Sequence, residues 1–312
     1  MSSGPQHIAL IGGTGFVGTH LIEWLVRRQH QVRVLTRRRE RCKALATLPG
    51  VSLHEGGAES LDALLAGQDA AVYLVGILHG SRQDFERAHV GLLQDVIAAC
   101  QRQGVRRLVL VGALGAAVDA ASDYQQTKAQ GEAALMASGL DWTIVRPSVI
   151  FGRGDSFLNL FADLLAVAPC LPLAGAGTRF QPVWVEDVAH VLADCLDRAD
   201  THGQRYELAG PETFTLAELV RYVGQLTGHP RPVFGLPEGL AMAQAALMER
   251  LPKPPMSRDN VRSLRHDNVS AQGFPSATFG FAPAALTSIA PGWLAGNTPR
   301  ARYDSFRRLA RR

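Results

Sequence analysis

The chain has few cysteines, almost no lysine and no long uninterrupted apolar run, and each shortage removes a class of protein. Its four cysteines, Cys42, Cys100, Cys170 and Cys195, stand far apart without CxxC or Cys/His ligand spacing. A disulfide framework is therefore not expected, and reduced, structural thiols are. The ten histidines form no HExxH pair and the acids no DxD cluster, so no metal is expected. The apolar stretch from Leu158 to Leu173 is broken by Asp163, Pro169 and Pro172, short of the ~20 clean residues that span a bilayer. Met1 to Gln6 carries no basic stretch and no apolar core of secretory type. The expectation is a cytoplasmic protein, at most peripheral at the inner face of a membrane.

Cationic charge is also scarce outside one place. Of a net charge of +4, residues 300–312 contribute +5 through six arginines and one aspartate, so the rest of the chain is close to neutral. A nucleic-acid-binding protein would spread cations over a folded face, so no nucleic-acid partner is expected. The tail mixes those arginines with Tyr303, Phe306 and Leu309. That spacing suits a short helix with one apolar face for an anionic membrane surface or an acidic partner complex, and equally a frayed, solvated terminus.

With 46% apolar and 19% charged residues, the composition is that of an ordinary globular protein. The first half alternates short apolar runs with helical patterns, the signature of a doubly wound parallel α/β sheet of Rossmann type. Strands are expected at His7–Ile11, Gln31–Leu35, Ala70–Val75, Arg107–Val111 and Trp142–Val145. Helices are expected at Val17–Arg28, Phe85–Gln103 and Asp123–Ser138, where apolar residues return every three or four positions. Beyond Arg146-Pro147, Pro/Gly-rich joints separate shorter helical pieces. The organisation read from this is a dinucleotide domain over 1–150, with 178–210 returning to it. A smaller C-terminal substrate lobe takes 151–177 and 211–297, and a basic tail 298–312.

The most specific local signal follows the first strand. His7 to Ile11 runs into Gly12-Gly13-Thr14-Gly15-Phe16-Val17-Gly18, and an amphipathic helix continues. Gly12 permits the turn off the strand, Gly15 lets backbone N–H groups approach a pyrophosphate, and Gly18 lets the helix pack closely. The helix N-terminus presents its positive end to the anion. Thr14, Phe16 and Val17 complete the loop that would hold a nicotinamide dinucleotide. Val75 and Gly76, at the end of the fourth strand, are further cofactor contacts. At the end of the second strand, Thr36-Arg37-Arg38-Arg39 offers no acid for a ribose 2′-OH. Arg37 or Arg38 can pair with a 2′-phosphate, which points to NADP(H) over NAD(H); the alternative is a solvated basic helix start.

Tyr124 and Lys128 form a YxxxK pair at the head of a helix, on one face. Five tyrosines and three lysines in 312 residues would meet at this spacing by chance roughly one time in twenty. An ammonium beside a phenol favours the phenolate, so Lys128 is expected to lower the Tyr124 pKa and ready it for proton exchange with a carbonyl or alcohol.

Together these motifs resemble the short-chain dehydrogenase/reductase superfamily in its extended, atypical branch. Gly12 to Gly18 resembles its dinucleotide loop, Tyr124 and Lys128 its active-site pair, and Arg146-Pro147-Ser148 the turn after its sixth strand. Residues 112–116, 152–157 and 179–189 are similar to the group of the nucleotide-binding accessory subunit nine of mitochondrial complex I and its bacterial relatives. The resemblance implies a tightly held NADP(H), with Gly112 and Pro147 among the cofactor contacts, and Tyr124 and Lys128 as catalytic residues. It also implies either an oxidoreductase acting on a small hydrophobic carbonyl or quinone-like substrate, or a non-catalytic accessory subunit of a respiratory or ubiquinone-biosynthesis complex. A sugar-nucleotide epimerase or dehydratase is a weaker implication. Two positions depart from the pattern: Gly112 stands where active members carry a Ser or Thr hydroxyl, and His89 where an Asn is usual. Ser122 would replace the hydroxyl only if its loop folded back.

Overall fold

The computed structural model describes residues 4–251 and 254–295, and the basic tail lies outside them. The described residues divide into two compact units: those within Met1–Pro147, Val185–Leu208 and Pro275–Phe281, and those within Ser148–Trp184, Ala209–Phe274 and 282–295. No helix among the described residues is long and apolar enough to cross a membrane.

The first unit is built on seven parallel strands: β1 (His7–Ile11), β2 (Gln31–Thr36), β3 (Val51–Glu55), β4 (Ala70–Tyr73), β5 (Arg107–Val111), β6 (Asp141–Pro147) and β7 (Gln204–Leu208). Their order is β7-β6-β5-β4-β1-β2-β3. β1, β4 and β5 are almost wholly buried, as strands covered by helices on both faces must be. The four main helices are α1 (Phe16–Arg27), α2 (Leu92–Gln103), α3 (Asp123–Met136) and α4 (Val185–Asp197). Because β1 pairs with both β2 and β4, the strand order reverses beside β1. The topological switch point therefore lies at the carboxyl ends of β1 and β4, where such sheets bind ligands.

The five expected strands are present, the second and fifth slightly longer and the third ending at Tyr73, two residues before the expected Val75. The run Val51-Ser52-Leu53-His54-Glu55 was too polar to stand out from the sequence; it is one of the two edge strands and only half covered. The expected helix from Phe85 to Gln103 is interrupted. A π-helical turn occupies Arg87–Gly91 before α2 begins, and the Ala88 carbonyl inside it accepts a hydrogen bond from the buried Tyr73 hydroxyl. Such a turn releases a carbonyl from the helical ladder, and Tyr73 satisfies this one.

In the second unit, Phe151, Phe161 and Phe180 sit among the leucines of the Leu158–Val167 and Leu216–Thr227 helices. Strand Leu171–Ala174 pairs in parallel with Val233–Leu236. The next helix, α5 (Glu238–Met248), buries Ala241 and Ala245 with Ala174 and Val261.

α3 crosses the π-helical turn at very short range. A Cβ on Gly131 would lie 2.3 Å from the His89 carbonyl oxygen, so the backbones touch there. Gly131→Ala should destabilise the protein by about 1–3 kcal/mol through overpacking, despite the gain in helix propensity; urea denaturation measures it, and an unchanged midpoint would contradict the close approach.

Candidate dinucleotide and active site

The loop after β1 folds as it does because side chains do not fit. Gly12 has φ +86°, and a Cβ there would meet the Val75 nitrogen at 3.0 Å. A Cβ on Gly13 would strike Leu10, and one on Gly18 would fall 2.4 Å from the Gly13 carbonyl oxygen. Gly18 thus lets α1 settle on the loop itself, a closer contact than packing on the sheet. Gly15 is the N-cap of α1 with no side-chain cap, and no acid stands in the first turn. The helix therefore presents backbone N–H groups to an anion with no carboxylate competing, a cradle that fits a pyrophosphate. α1 is pinned from behind by Glu186 of α4, which accepts from the Trp24 indole at 2.9 Å and bonds His20 Nδ1 at 2.5 Å.

At the end of β2, Thr36 is buried and its Oγ1 accepts from the Arg38 N–H at 3.3 Å. Arg37 and Arg38 are exposed. Arg33 is committed elsewhere, donating to the carbonyls of Ala63, Leu64 and Ala66.

Val75 and Gly76, beyond β4, meet the YxxxK helix directly. The buried Lys128 ammonium donates to the Val75 carbonyl at 3.3 Å and the Val111 carbonyl at 3.0 Å. A Cβ on Gly76 would stand 3.3 Å from Lys128 Nζ. Burial pushes the Lys128 pKa down to about 8, against an upward pull from Glu132. Tyr124, half-buried one turn earlier, is pushed up to about 12 by burial. The expected depression by Lys128 does not occur: the ammonium is spent on two carbonyls, and desolvation of the phenol dominates. Tyr124 is therefore a protonated phenol at neutral pH.

His89 contacts this pair from the π-helical turn. Its ring lies edge-on to Tyr124 with centroids 5.4 Å apart and stacks with Phe85 at 5.7 Å. Nε2 accepts from the Ile77 backbone N–H at 3.3 Å, so Nδ1 carries the proton and donates to Thr127 Oγ1 at 2.9 Å. Thr127 in turn donates to the Asp123 carbonyl at 2.8 Å. Burial, then the Lys128 charge, lowers the His89 pKa from 6.5 to about 3. His89 is a neutral clamp between the loop after β4 and α3.

The hydroxyl absent at Gly112 has no room to exist. A Cβ there would fall 2.4 Å from Glu132 Oε1, and Glu132 is held by Arg146 in a buried, two-pronged pair, with Nε at 2.9 Å and Nη2 at 2.6 Å. Ser122 does not take over: it caps α3, accepting from the Gln125 N–H at 3.2 Å and donating to the Gln125 side chain. Pro147 ends β6, its carbonyl accepting from the Leu114 N–H at 2.9 Å. Of the other polar side chains, His79 is exposed, Asp187 is buried in the first turn of α4, and Arg179 pairs with Asp267 at 2.8 Å. Asp155 accepts four backbone N–H groups at the start of the Leu158–Val167 helix. Among the described residues, no group of three metal-ligating side chains occurs.

Residues 12–164 match the NAD(P)H-binding family, and residues 116–276, just over half of the chain, match the RmlD substrate binding domain family. The chain belongs to the atypical short-chain dehydrogenase/reductases. It is an NAD(P)-binding member of that family. It is similar to the complex I alpha subcomplex subunit 9 of Arabidopsis thaliana, 30% identical over 78% of this chain and 65% of the relative. It thus spans about two thirds of that relative's length. It is also similar to sterol demethylase protein B of Methylococcus capsulatus, 28% identical over 84% of this chain and 88% of the relative, and to ceramide reductase of Caulobacter vibrioides, 29% identical over 78% and 77%. Among solved structures, a dTDP-glucose 4,6-dehydratase from Streptomyces venezuelae with NAD bound shares the fold, with TM-score 0.73, 18% identity, and 96% and 99% of the two chains covered.

Within this reductase fold the sequence pattern missed Thr127, Glu132 and Arg146. Two signals were there to be used: Glu132 stands one helical turn beyond Lys128, and Arg146 opens the Arg-Pro-Ser turn.

His89 makes stability pH-dependent in a definite direction. Between its unfolded value near 6.5 and its native value of about 3, the unfolded chain binds a proton that the native protein refuses. The stabilisation is complete above 6.5 and falls away as pH drops through that window, by about 1.4 kcal/mol per pH unit. Urea melts of wild type and His89→Asn at a series of pH values between 7 and 4 should show the wild type declining more steeply; parallel curves would remove the buried neutral histidine.

Proposed function

We propose that this chain is an NADP(H)-dependent reductase of an apolar carbonyl or quinone-like substrate, with Tyr124 as proton donor and Lys128 as its cofactor-side partner. The observation that carries the reading is a protonated phenol, Tyr124, one turn before a buried ammonium that sits on Gly76 at the switch point. Gly12, Thr14, Gly15, Phe16, Val17 and Gly18 would hold the pyrophosphate, Val75, Gly76, Gly112 and Pro147 would line the cofactor site, and Arg37 or Arg38 would pair with a 2′-phosphate. When bound, the nicotinamide supplies the hydride that forms the new C–H bond at the carbonyl carbon. Tyr124 gives its phenolic proton to the carbonyl oxygen. Lys128 has three N–H donors; two go to Val75 and Val111, which leaves one for a ribose hydroxyl. The ammonium also favours the phenolate that remains after proton transfer.

Three observations support an apolar, uncharged substrate. Arg179 of the second unit is taken up by Asp267, whereas a nucleotide sugar's diphosphate there would call for a free guanidinium. That same unit is built around an aromatic and leucine cluster. Two relatives are named for sterol and ceramide chemistry.

One feature favours a second reading, a non-catalytic nucleotide-binding subunit of a respiratory or ubiquinone-biosynthesis complex. Glu132 fills the place of the hydroxyl that would stabilise the reacting carbonyl, and loss of one such donor commonly costs ~10²- to 10³-fold in rate. Bound nucleotide would still add stability, ~2.7 kcal/mol at 100 times its dissociation constant. Any membrane contact through the tail concerns residues outside the described ones.

Calorimetry on the purified protein should show NADPH binding at least tenfold tighter than NADH, about 1.4 kcal/mol, with the difference lost in Arg37→Ala/Arg38→Ala; equal affinities would exclude the 2′-phosphate contact. In stopped-flow oxidation of NADPH by quinones and long-chain aldehydes, Tyr124→Phe should lower turnover by ~10²-fold or more with the NADPH Kd unchanged. A wild type that binds NADPH and oxidises it with none of these acceptors would favour the subunit role.

A further inference from the structure

α5 is an unusual helix to find facing water. Its eleven residues, Glu-Gly-Leu-Ala-Met-Ala-Gln-Ala-Ala-Leu-Met, include one charged side chain, Glu238, and that charge is taken by Arg265. A helix apolar on all sides belongs in a core or against a lipid phase. Here one side is packed, through Ala241 and Ala245. The opposite side is not: Leu240 is 60% exposed and Leu247 66%, Ala243 is exposed between them, and Leu251 follows in the next turn at 53%. The i, i+3, i+7 spacing sets these side chains in one stripe.

The charge around the stripe selects the occupant. Both acids that flank it are neutralised, Glu238 by Arg265 and Glu249 by Arg258 at 2.9 Å. Arg250 stands exposed directly beyond the helix. Residues 231–267 hold five arginines and one lysine against four acids. With both flanking acids paired, the apolar stripe ends on an exposed cation, Arg250, as in helices that lie in the headgroup plane of an anionic bilayer with long basic side chains reaching the phosphates. A stripe of this length offers a few hundred Å², short of the ~800 Å² per partner that a stable protein interface buries. We propose that the Leu240–Ala243–Leu247–Leu251 face of α5 docks on an anionic lipid surface.

Co-sedimentation of the full chain with phosphatidylcholine vesicles, with and without phosphatidylglycerol, tests this. The wild type should pellet with the anionic vesicles and remain in the supernatant with the neutral ones. Leu240→Glu/Leu247→Glu should weaken the partition at least roughly tenfold while the thermal melt stays unchanged, since both side chains already face solvent. Arg250→Glu should weaken it several-fold and abolish part of its salt dependence. A double variant that pellets like wild type would assign binding to the arginine-rich tail and overturn the proposal. So would equal binding to both vesicle types, no binding to either, or a wild-type dimer in size-exclusion chromatography that the double variant dissociates.

Discussion

A single buried ammonium organises the candidate site. Lys128 reaches from α3 to the carbonyl ends of two adjacent central strands, at Val75 and Val111. Ammonium groups are costly to bury unless each N–H finds an acceptor, and the carbonyls leaving a parallel sheet are acceptors that need no further side chain. Much else accommodates this bond. Gly76 has no Cβ, which would crowd Nζ; Glu132 lies one turn along α3 and pulls the lysine back towards its charged form; and Gly112 is bare because Glu132 occupies the adjoining volume. In a chain with three lysines, one places a compact charge on a flexible stem between two strand ends.

Burial, joined at His89 by the Lys128 charge, sets the protonation of the groups around the ammonium. His89 is held neutral and Tyr124 is held as the phenol, so the groups nearest the switch point carry one positive charge, on Lys128. The phenol starts as an acid, which suits reduction of a carbonyl better than oxidation of an alcohol. The Glu132–Arg146 pair sits behind them with its charges matched, and it fixes the floor at Gly112 without adding a donor. Cofactor binding and turnover thus depend on different parts of the fold: the first on glycine backbone and α1, the second on how well a phenol works without a neighbouring hydroxyl.

The glycine loop and the YxxxK pair were legible in the sequence because each needs particular residue types at fixed local spacing. Gly12, Gly15 and Gly18 announce themselves within seven residues. The contacts that tune the site were not legible for the opposite reason. His89 and Thr127 are 38 positions apart, and Glu132 reaches Gly112 across 20. The sign of the Tyr124 shift could not be read from spacing, since it follows from which acceptors the ammonium finds and how dry the phenol becomes. β3 escaped because an edge strand keeps half its residues polar.

The π-helical turn at Arg87–Gly91 makes the site sensitive to chain length as well as to residue identity. Such a turn amounts to one residue more than a regular helix would hold there. Deleting Arg87, Val90 or Gly91 would let an unbroken α-helix form, yet it would rotate His89 by about 100° about the helix axis relative to one of its flanks. Ile77, Thr127 and Tyr124 would lose their shared partner, and the Ala88 carbonyl would return to the ladder and desert Tyr73. The extra residue acts as a spacer that sets the phase between the front and the back of one helix.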